Sequence, residues 1–525
     1  MKNIAEMLRW RALQTPDKAA VKFLQTELTW KEVYQQAFEL SQRLGDAGVR
    51  RGDVVGIYLD HSLGQVISIF AIALRDAVFT IVNPQLVHDQ VKHQVQDASM
   101  TAILGSDEML RPLQDFFANR MMHVEYISSA GLEVRDGENP VDLTVDTTGN
   151  IPADVSNYIY TSGSTGLAKG VVVPHRTLLD GARIVSQYLK INAEDNILSI
   201  LPFSFDYGLN QLMSAVHAGA KITLHHFIFP KELVEILQSE EITALAVVPS
   251  VWPKILKPKL LGNVTFPRLR YITTAGGFHS PELLHDASSY FPNTEIIVMY
   301  GLTESFRSTY LPFSEIFNRP GSIGRAVPEV EILVLNEQGQ PCAPGEKGEL
   351  VHRGAFVTYG YLNNAELNEK KFIRLNHSNE SRLPELAVRS GDQVSLDKDG
   401  FIYFHGRMDQ QIKSSGFRIS PDEVAQAVLT TPGIGQAVVF GMPDKALGEA
   451  IHVAYESFNN EPVDILEIKR HAKNSLATYA IPHHYHYYPQ IPLNHNGKTD
   501  FTRLKNNVIA QAASREGQDK RSHGR

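Results

Sequence analysis

Short β-branched runs alternate with segments of helical periodicity along the first half of the chain, and that alternation admits few folds. Val54–Tyr58 and Thr101–Leu104 read as strands, while Trp30–Leu44 and Val66–Leu74 repeat their apolar residues at helical spacing. Strands that alternate with helices pair in parallel, because the helix supplies the crossover. The pattern continues with a helix over Thr177–Leu189, a strand over Ile197–Leu201, a helix over Leu209–His217 and a strand over Lys221–Leu224. Lys231–Ser239, Ala244–Val248 and Tyr271–Thr274 extend it. From about Gly321 the texture changes to short strands between Gly/Pro turns, as in Glu331–Leu335, Gly348–Val351 and Phe401–His405. A boundary is expected near Arg407–Asp409, followed by an α+β unit of about a hundred residues, a common domain size. Ser420 as N-cap, Pro421 in the first turn and Glu423 closing a capping box mark its first helix. Strands Gln436–Gly441 and Ala450–Glu456 and a helix near Ile465–Leu476 complete it. The fold class is therefore α/β: a large N-terminal domain of layered α/β subdomains with a β-rich subdomain (1–408), a small α+β C-terminal domain (409–510), and a polar tail (511–525) read as disordered.

The 525-residue length fits roughly three or four domains or subdomains. A net charge of -8, without any Lys/Arg-rich block interleaved with aromatics, argues against a nucleic-acid partner. The single cysteine, Cys342, rules out an internal disulfide or a thiolate zinc cluster and fits a reducing, cytoplasmic compartment. The apolar run Val66–Leu74 is too short to span a bilayer. Met1–Lys22 shows no signal-peptide core, and the terminal His-Gly-Arg is not a peroxisomal address.

Chemistry concentrates first in Tyr160-Thr-Ser-Gly-Ser-Thr-Gly-Leu-Ala-Lys-Gly170, which packs four Ser/Thr hydroxyls, three glycines and Lys169 into eleven residues. Glycines let backbone N–H groups approach an anion, hydroxyls donate further bonds, and lysine supplies a compact positive charge. Such a loop suits a polyphosphate. It is not a Walker A loop, because Ala168 stands immediately before Lys169. Gly497-Lys498-Thr499 imitates the end of that motif, but Pro492 occupies the position of its first glycine.

The order of motifs then resembles the adenylate-forming superfamily: acyl- and aryl-CoA synthetases, nonribosomal adenylation domains and beetle luciferases. After the loop come LPFSFDYGL at 201–209, YGLTES at 300–305, GELVHRG at 348–354, RSGD at 389–392, GRMDQQIKSSGFRIS at 406–420 and NGKTD at 496–500. The resemblance runs from about Ile4 to about Leu504. It implies an ATP-dependent, AMP-forming ligase with Mg²⁺, in which a carboxylate attacks the α-phosphate and a thiol then displaces AMP. It also implies that the small domain rotates between the two steps, with Asp409 at the hinge.

By the same resemblance Thr161, Ser162, Gly163, Ser164, Thr165, Gly166 and Lys169 hold the β- and γ-phosphates. Glu304 is the Mg²⁺ ligand, Thr303 contacts the α-phosphate, Tyr300 stacks on adenine, and Gly276 and Gly277 line its other face. Asp392, with Arg407 beside it, accepts from the ribose hydroxyls. Lys498 reaches the carboxylate and α-phosphate during adenylation, and Ser415 and Gly416 face the tunnel for the thiol arm. Ala168 replaces the family's usual proline, which should loosen the loop slightly.

The acid itself is left open. Phe205-Asp206 matches the pattern of amino-acid-activating relatives, whose aspartate pairs with the substrate ammonium, and Gly301 borders the same pocket. Tyr207-Gly208-Leu209 instead resembles the acyl-CoA pattern. The acceptor is coenzyme A or the phosphopantetheine of a separate acyl or peptidyl carrier protein. A luciferase-like oxidoreductase and a non-catalytic binding relative are the competing readings. His483, His484 and His486 do not all share a strand face and are not expected to form a metal cluster.

Overall fold

A computed structural model describes residues 1–132, 142–146, 148–161, 168–262, 264–277, 279–375, 385–408, 411–414, 417–444, 447–494 and 498–510. Among them, a six-stranded sheet runs in the order His123–Tyr126, Ala102–Gly105, Val54–Tyr58, Val78–Ile81, Val155–Thr161, Lys169–Pro174. The first five strands are parallel, and the last closes an antiparallel hairpin. Val54–Tyr58, Val78–Ile81 and Ala102–Gly105 are buried along their whole length, which is why they are almost wholly apolar, Thr80 excepted.

A fourteen-stranded sheet carries the second half of the large domain. Its parallel part runs Ala19–Phe23, Lys221–Leu224, Asn196–Ser199, Ala244–Val247, Tyr271–Thr274, Glu295–Tyr300. Beyond Glu295–Tyr300 it becomes antiparallel through Thr309–Leu311, Ser322–Ala326, Ile402–Arg407, Glu385–Leu396, Lys347–Gly354 and Val330–Leu335. The β-rich texture after Gly321 is thus a continuation of one sheet.

Helices Trp30–Asp46, Leu63–Leu74, His175–Leu189 and Asp206–Ala218 join both sheets in one apolar core. Leu63–Leu74 is buried on every side, and each fully buried Ile, Leu or Phe there contributes about 1.5–3 kcal/mol. The helix expected at Leu209 begins at Asp206. Gly208 permits this early start, since a Cβ there would lie 2.3 Å from the Pro202 carbonyl oxygen. Asp206 is thereby set in a helical first turn, just past the carboxyl end of Asn196–Ser199.

The C-terminal unit pairs Phe417–Ile419, Ile412–Ser414, Gly448–Ser457 and Ile434–Asp444, with His484–Tyr487 parallel to Gly448–Ser457. Helices Pro421–Leu429 and Ile465–Ser475 cover one face, and Leu504 and Val508 cover the other. Ser420 caps its helix by accepting from Glu423 N at 3.3 Å, but Glu423 makes no return bond among the described residues. Glu423 is exposed, so a single cap replaces the expected box. The rings of His484 and His486 lie 4.3 and 5.2 Å from that of His452, while His483 Nδ1 accepts from Ile451 N. Among the described residues no His/Cys/Asp/Glu group could hold a metal, and no helix is long and apolar enough to cross a membrane.

Candidate active site

Parallel strands end together on one side of a sheet, and loops leaving those carboxyl ends are where α/β folds gather ligands. Gly276 and Gly277 follow Tyr271–Thr274, and Gly301, Thr303 and Glu304 follow Glu295–Tyr300, the adjacent strand. The phosphate-loop candidates connect the hairpin strands, whose last register pair is Thr161 with Lys169. Ser162, Gly163, Ser164, Thr165 and Gly166 lie outside the described residues, as do Asp409, Ser415, Gly416 and the tail 511–525.

The hairpin is anchored from two directions. Tyr160 donates to Asp97 at 2.7 Å, and its ring packs so close to Gly170 that a Cβ there would sit 3.1 Å from Cζ. On the outer edge Val172 N donates to Gly360 O at 2.8 Å and Leu362 N donates to Gly170 O at 2.7 Å. That edge segment carries Tyr361, whose hydroxyl donates to Glu304 Oε1. The Glu304 carbonyl in turn accepts from Thr358 N and Oγ1 at 3.1 and 2.9 Å. Glu304 is therefore fixed beside the hairpin, and burial together with the Glu304 charge pushes the Tyr361 phenol upward.

A second group forms where the sheet turns antiparallel. Asp392 and Arg407 are register partners across Glu385–Leu396 and Ile402–Arg407, with Arg407 Nη1 3.1 Å from Asp392 Oδ1. Tyr300 donates its hydroxyl to Asp392 Oδ2. Asp392 is 2 % exposed, and burial followed by its charge raises the Tyr300 phenol well above its ordinary value. An aromatic face, a carboxylate and a guanidinium thus stand together, a set matched to a nucleoside.

The third group brings the two domains into contact. Asp206 is 5 % exposed and accepts from Thr303 Oγ1 at 3.3 Å. Burial raises its carboxyl, opposed by the Arg307 charge, then by Lys498 and Thr303. Lys498 Nζ lies 4.8 Å over the Phe205 ring, a cation–π contact between C-terminal and N-terminal domains. Its loop is braced by an isolated bridge between Leu493 and Thr499 and by Lys498 N donating to Asn494 Oδ1 at 3.1 Å. Gly276 is held at φ +91°, a left-handed conformation that favours glycine, and the Lys498 stem passes at ordinary contact distance, 3.9 Å from where a Cβ would stand. Gly301 admits no side chain, since a Cβ there would lie 2.4 Å from the Phe306 carbonyl oxygen.

The structure thus gathers Phe205, Asp206, Thr303 and Lys498 in one place, Tyr300, Asp392 and Arg407 in a second, and Glu304 beside the Thr161–Lys169 hairpin. Two residues escape sequence reasoning. Tyr361 carries only the weak signal of a Tyr-Gly-Tyr run, and Arg307 that of an arginine set among residues which all prove buried, Ser305 to Thr309.

The pattern described as AMP-binding enzyme matches residues 8–362, and that of the AMP-binding enzyme C-terminal domain matches 423–498. Zwittermicin A synthase ZmaJ of Bacillus cereus is 28% identical over 511 residues, covering 95% of this chain and 93% of that protein. Tyrocidine synthase 3 of Brevibacillus parabrevis is 29% identical over 522 residues, but this chain spans only 8% of its length. The crystal structure of the anthranilate CoA ligase AuaEII in complex with anthranoyl-AMP superposes with a TM-score of 0.85 at 21% identity, covering 97% of this chain and 98% of that one.

Proposed function

The chain belongs to the AMP-binding enzyme family and is an AMP-forming ligase, and from that premise we propose that it adenylates a carboxylic acid with an amino group and passes it to a thiol. The observation that carries this reading is the meeting of Lys498 with Phe205 beside buried Asp206.

A carboxylate is a poor electrophile because its charge is delocalised and its leaving group would be oxide. Joining it to the α-phosphate supplies a good leaving group, and the protein's part is positioning and charge neutralisation. Lys169 and the hydroxyls and amides of residues 161–166 take the β- and γ-phosphates. Tyr300 covers the adenine, and Asp392, oriented by Arg407, accepts from both ribose hydroxyls. Lys498 draws the acid carboxylate and α-phosphate together and stabilises charge in the transition state. Thr303, which donates to Asp206, contacts the α-phosphate.

Glu304 fits Mg²⁺: it is a hard, half-buried carboxylate fixed beside the phosphate hairpin by Tyr361. When bound there the ion neutralises phosphate oxygens. Asp206 favours an amino acid, since a buried carboxylate requires a cationic partner to offset its desolvation. The acceptor is coenzyme A or carrier-bound phosphopantetheine. Likeness to AuaEII, a CoA ligase solved with an acyl-adenylate, supports a thiol acceptor. The small domain, hinged at Asp409, would then turn to bring Ser415 and Gly416 to the thiol arm. The lone Cys342 is consistent with a cytoplasmic setting.

Acid-dependent ATP–pyrophosphate exchange across amino, acyl and aryl acids tests the proposal. Exchange confined to amino acids and lost in Asp206→Ala supports it, and exchange with aryl or fatty acids that survives Asp206→Ala refutes the amino-acid part.

A further inference from the structure

Arg307 stands over Tyr207, the residue that follows Asp206, and none of the roles above uses it. Its side chain is 3 % exposed, and its guanidinium carbon lies 4.9 Å over the Tyr207 ring. Nε is buried without a hydrogen-bond partner, and among the described residues no hydrogen bond or ion pair holds the guanidinium. The tyrosine hydroxyls nearby are committed elsewhere, Tyr207 to Thr273 at 2.7 Å and Tyr188 to Met299 Sδ at 3.1 Å. The backbone pays for this placement, because Phe306 adopts a left-handed φ of 54°.

Arg307 and Asp206 feel each other's charge, yet they close no ion pair. At long range the two charges offset one another, but at contact each lacks a partner of full strength. A buried guanidinium with an aromatic ring in contact and a carboxylate only at longer range is compensated in part. A ligand with one cationic and one extra anionic group would complete both contacts. A substrate with an apolar side chain would leave Arg307 desolvated and unmatched.

We infer that Arg307 is a specificity-determining residue that binds a second anionic group, so that the acid activated is an α-amino dicarboxylic acid of the aspartate or glutamate type. The reacting carboxylate faces Lys498, the ammonium Asp206, and the side-chain carboxylate Arg307, in a charge-assisted and potentially bidentate contact. The inference rests on the adenylation reading above and sharpens its substrate class.

The test is kcat/KM for pyrophosphate exchange by the full-length protein with L-aspartate and L-glutamate against their near-isosteric amides L-asparagine and L-glutamine, with L-alanine and succinate alongside. The expected result is preference for a diacid over its amide by about a hundredfold or more, because a site built for a polar group rejects the analogue lacking it. Arg307→Met should collapse that ratio to within about fivefold, and Arg307→Lys should restore part of it. If Arg307 merely balanced the Asp206 charge, the substitution would lower all substrates together and keep the ratio, which overturns the inference. A wild-type protein that favours an amide or alanine overturns it without any variant and leaves the adenylation reading intact. Exchange with no acid at all overturns both.

Discussion

Removing the ammonium of Lys498 should cripple the first half-reaction and spare the second. Nζ lies 4.8 Å over the Phe205 ring, so the acid carboxylate and α-phosphate must be brought to within about 4 Å of it for reaction. Two unit charges at that distance interact by about 4 kcal/mol at an effective dielectric of about 20. Lys498 is exposed in the free protein, and residual water screening reduces the figure to about 2 kcal/mol at the low end. With each 1.4 kcal/mol worth about tenfold in rate, Lys498→Ala should slow adenylation by about thirtyfold to a thousandfold. Quenched-flow conversion of ATP in a single turnover, with an acid that supports exchange, measures this step. Mixing preformed acyl-adenylate with the thiol and following AMP release measures the second step, which should change by less than about threefold. Asp392 and Arg407 lie together in the large domain's sheet, so on the proposed reading a turn of the small domain would leave their hold on the nucleoside intact. Equal loss in both half-reactions would show that Lys498 acts on folding or nucleotide binding, and the argument would fail.

Asp392→Asn should raise the KM for ATP about tenfold or more with a smaller change in kcat, because the carboxylate's charge-assisted bonds are lost while Tyr300 and Arg407 remain; steady-state kinetics with varied ATP checks it. Asp206→Asn should raise the apparent melting temperature at neutral pH while abolishing exchange with amino acids. The sign follows from burial: the folded carboxyl is raised, so its stability contribution is full below its unfolded value and is lost as pH rises through the folded one. The gain should vanish in scans at low pH. His352 is fully buried, with Nε2 donating to Ala355 O at 2.7 Å and Nδ1 accepting from Ser308 at 3.0 Å, and burial lowers it to about 4. Its contribution is complete above the ordinary value near 6.5 and fades as pH falls towards the folded value, by about 2 kcal/mol between pH 7 and 5. Urea midpoints of wild type and His352→Gln should therefore converge on acidification, and parallel pH slopes would refute this.

What could be read from the sequence was local, and what could not was set by distant partners. Lys221–Leu224 and Tyr271–Thr274 match their expected bounds because their β-branched residues, Ile222, Thr223, Ile272, Thr273 and Thr274, favour a strand, and that signal is local. The start of the helix at Asp206 was hidden. Its first turn carries a buried aspartate and a glycine, neither of which signals a buried helix; the Pro202 carbonyl dictates the glycine. Lys498 could be singled out from its motif, but its arrival over Phe205 depends on how one domain docks against another. Arg307 and Tyr361 were illegible because their partners, Tyr207 and Glu304, lie far from them along the chain within the large domain. An arginine near the end of a strand usually faces water, and only the burial of its neighbours turns this one inward. Local rules fail at Asp206 and Arg307, a carboxylate and a guanidinium both buried that close no ion pair with each other, and on the inference above a ligand supplies their partners. Such a pair destabilises the free protein, and its presence is most simply explained by a substrate carrying the complementary charges.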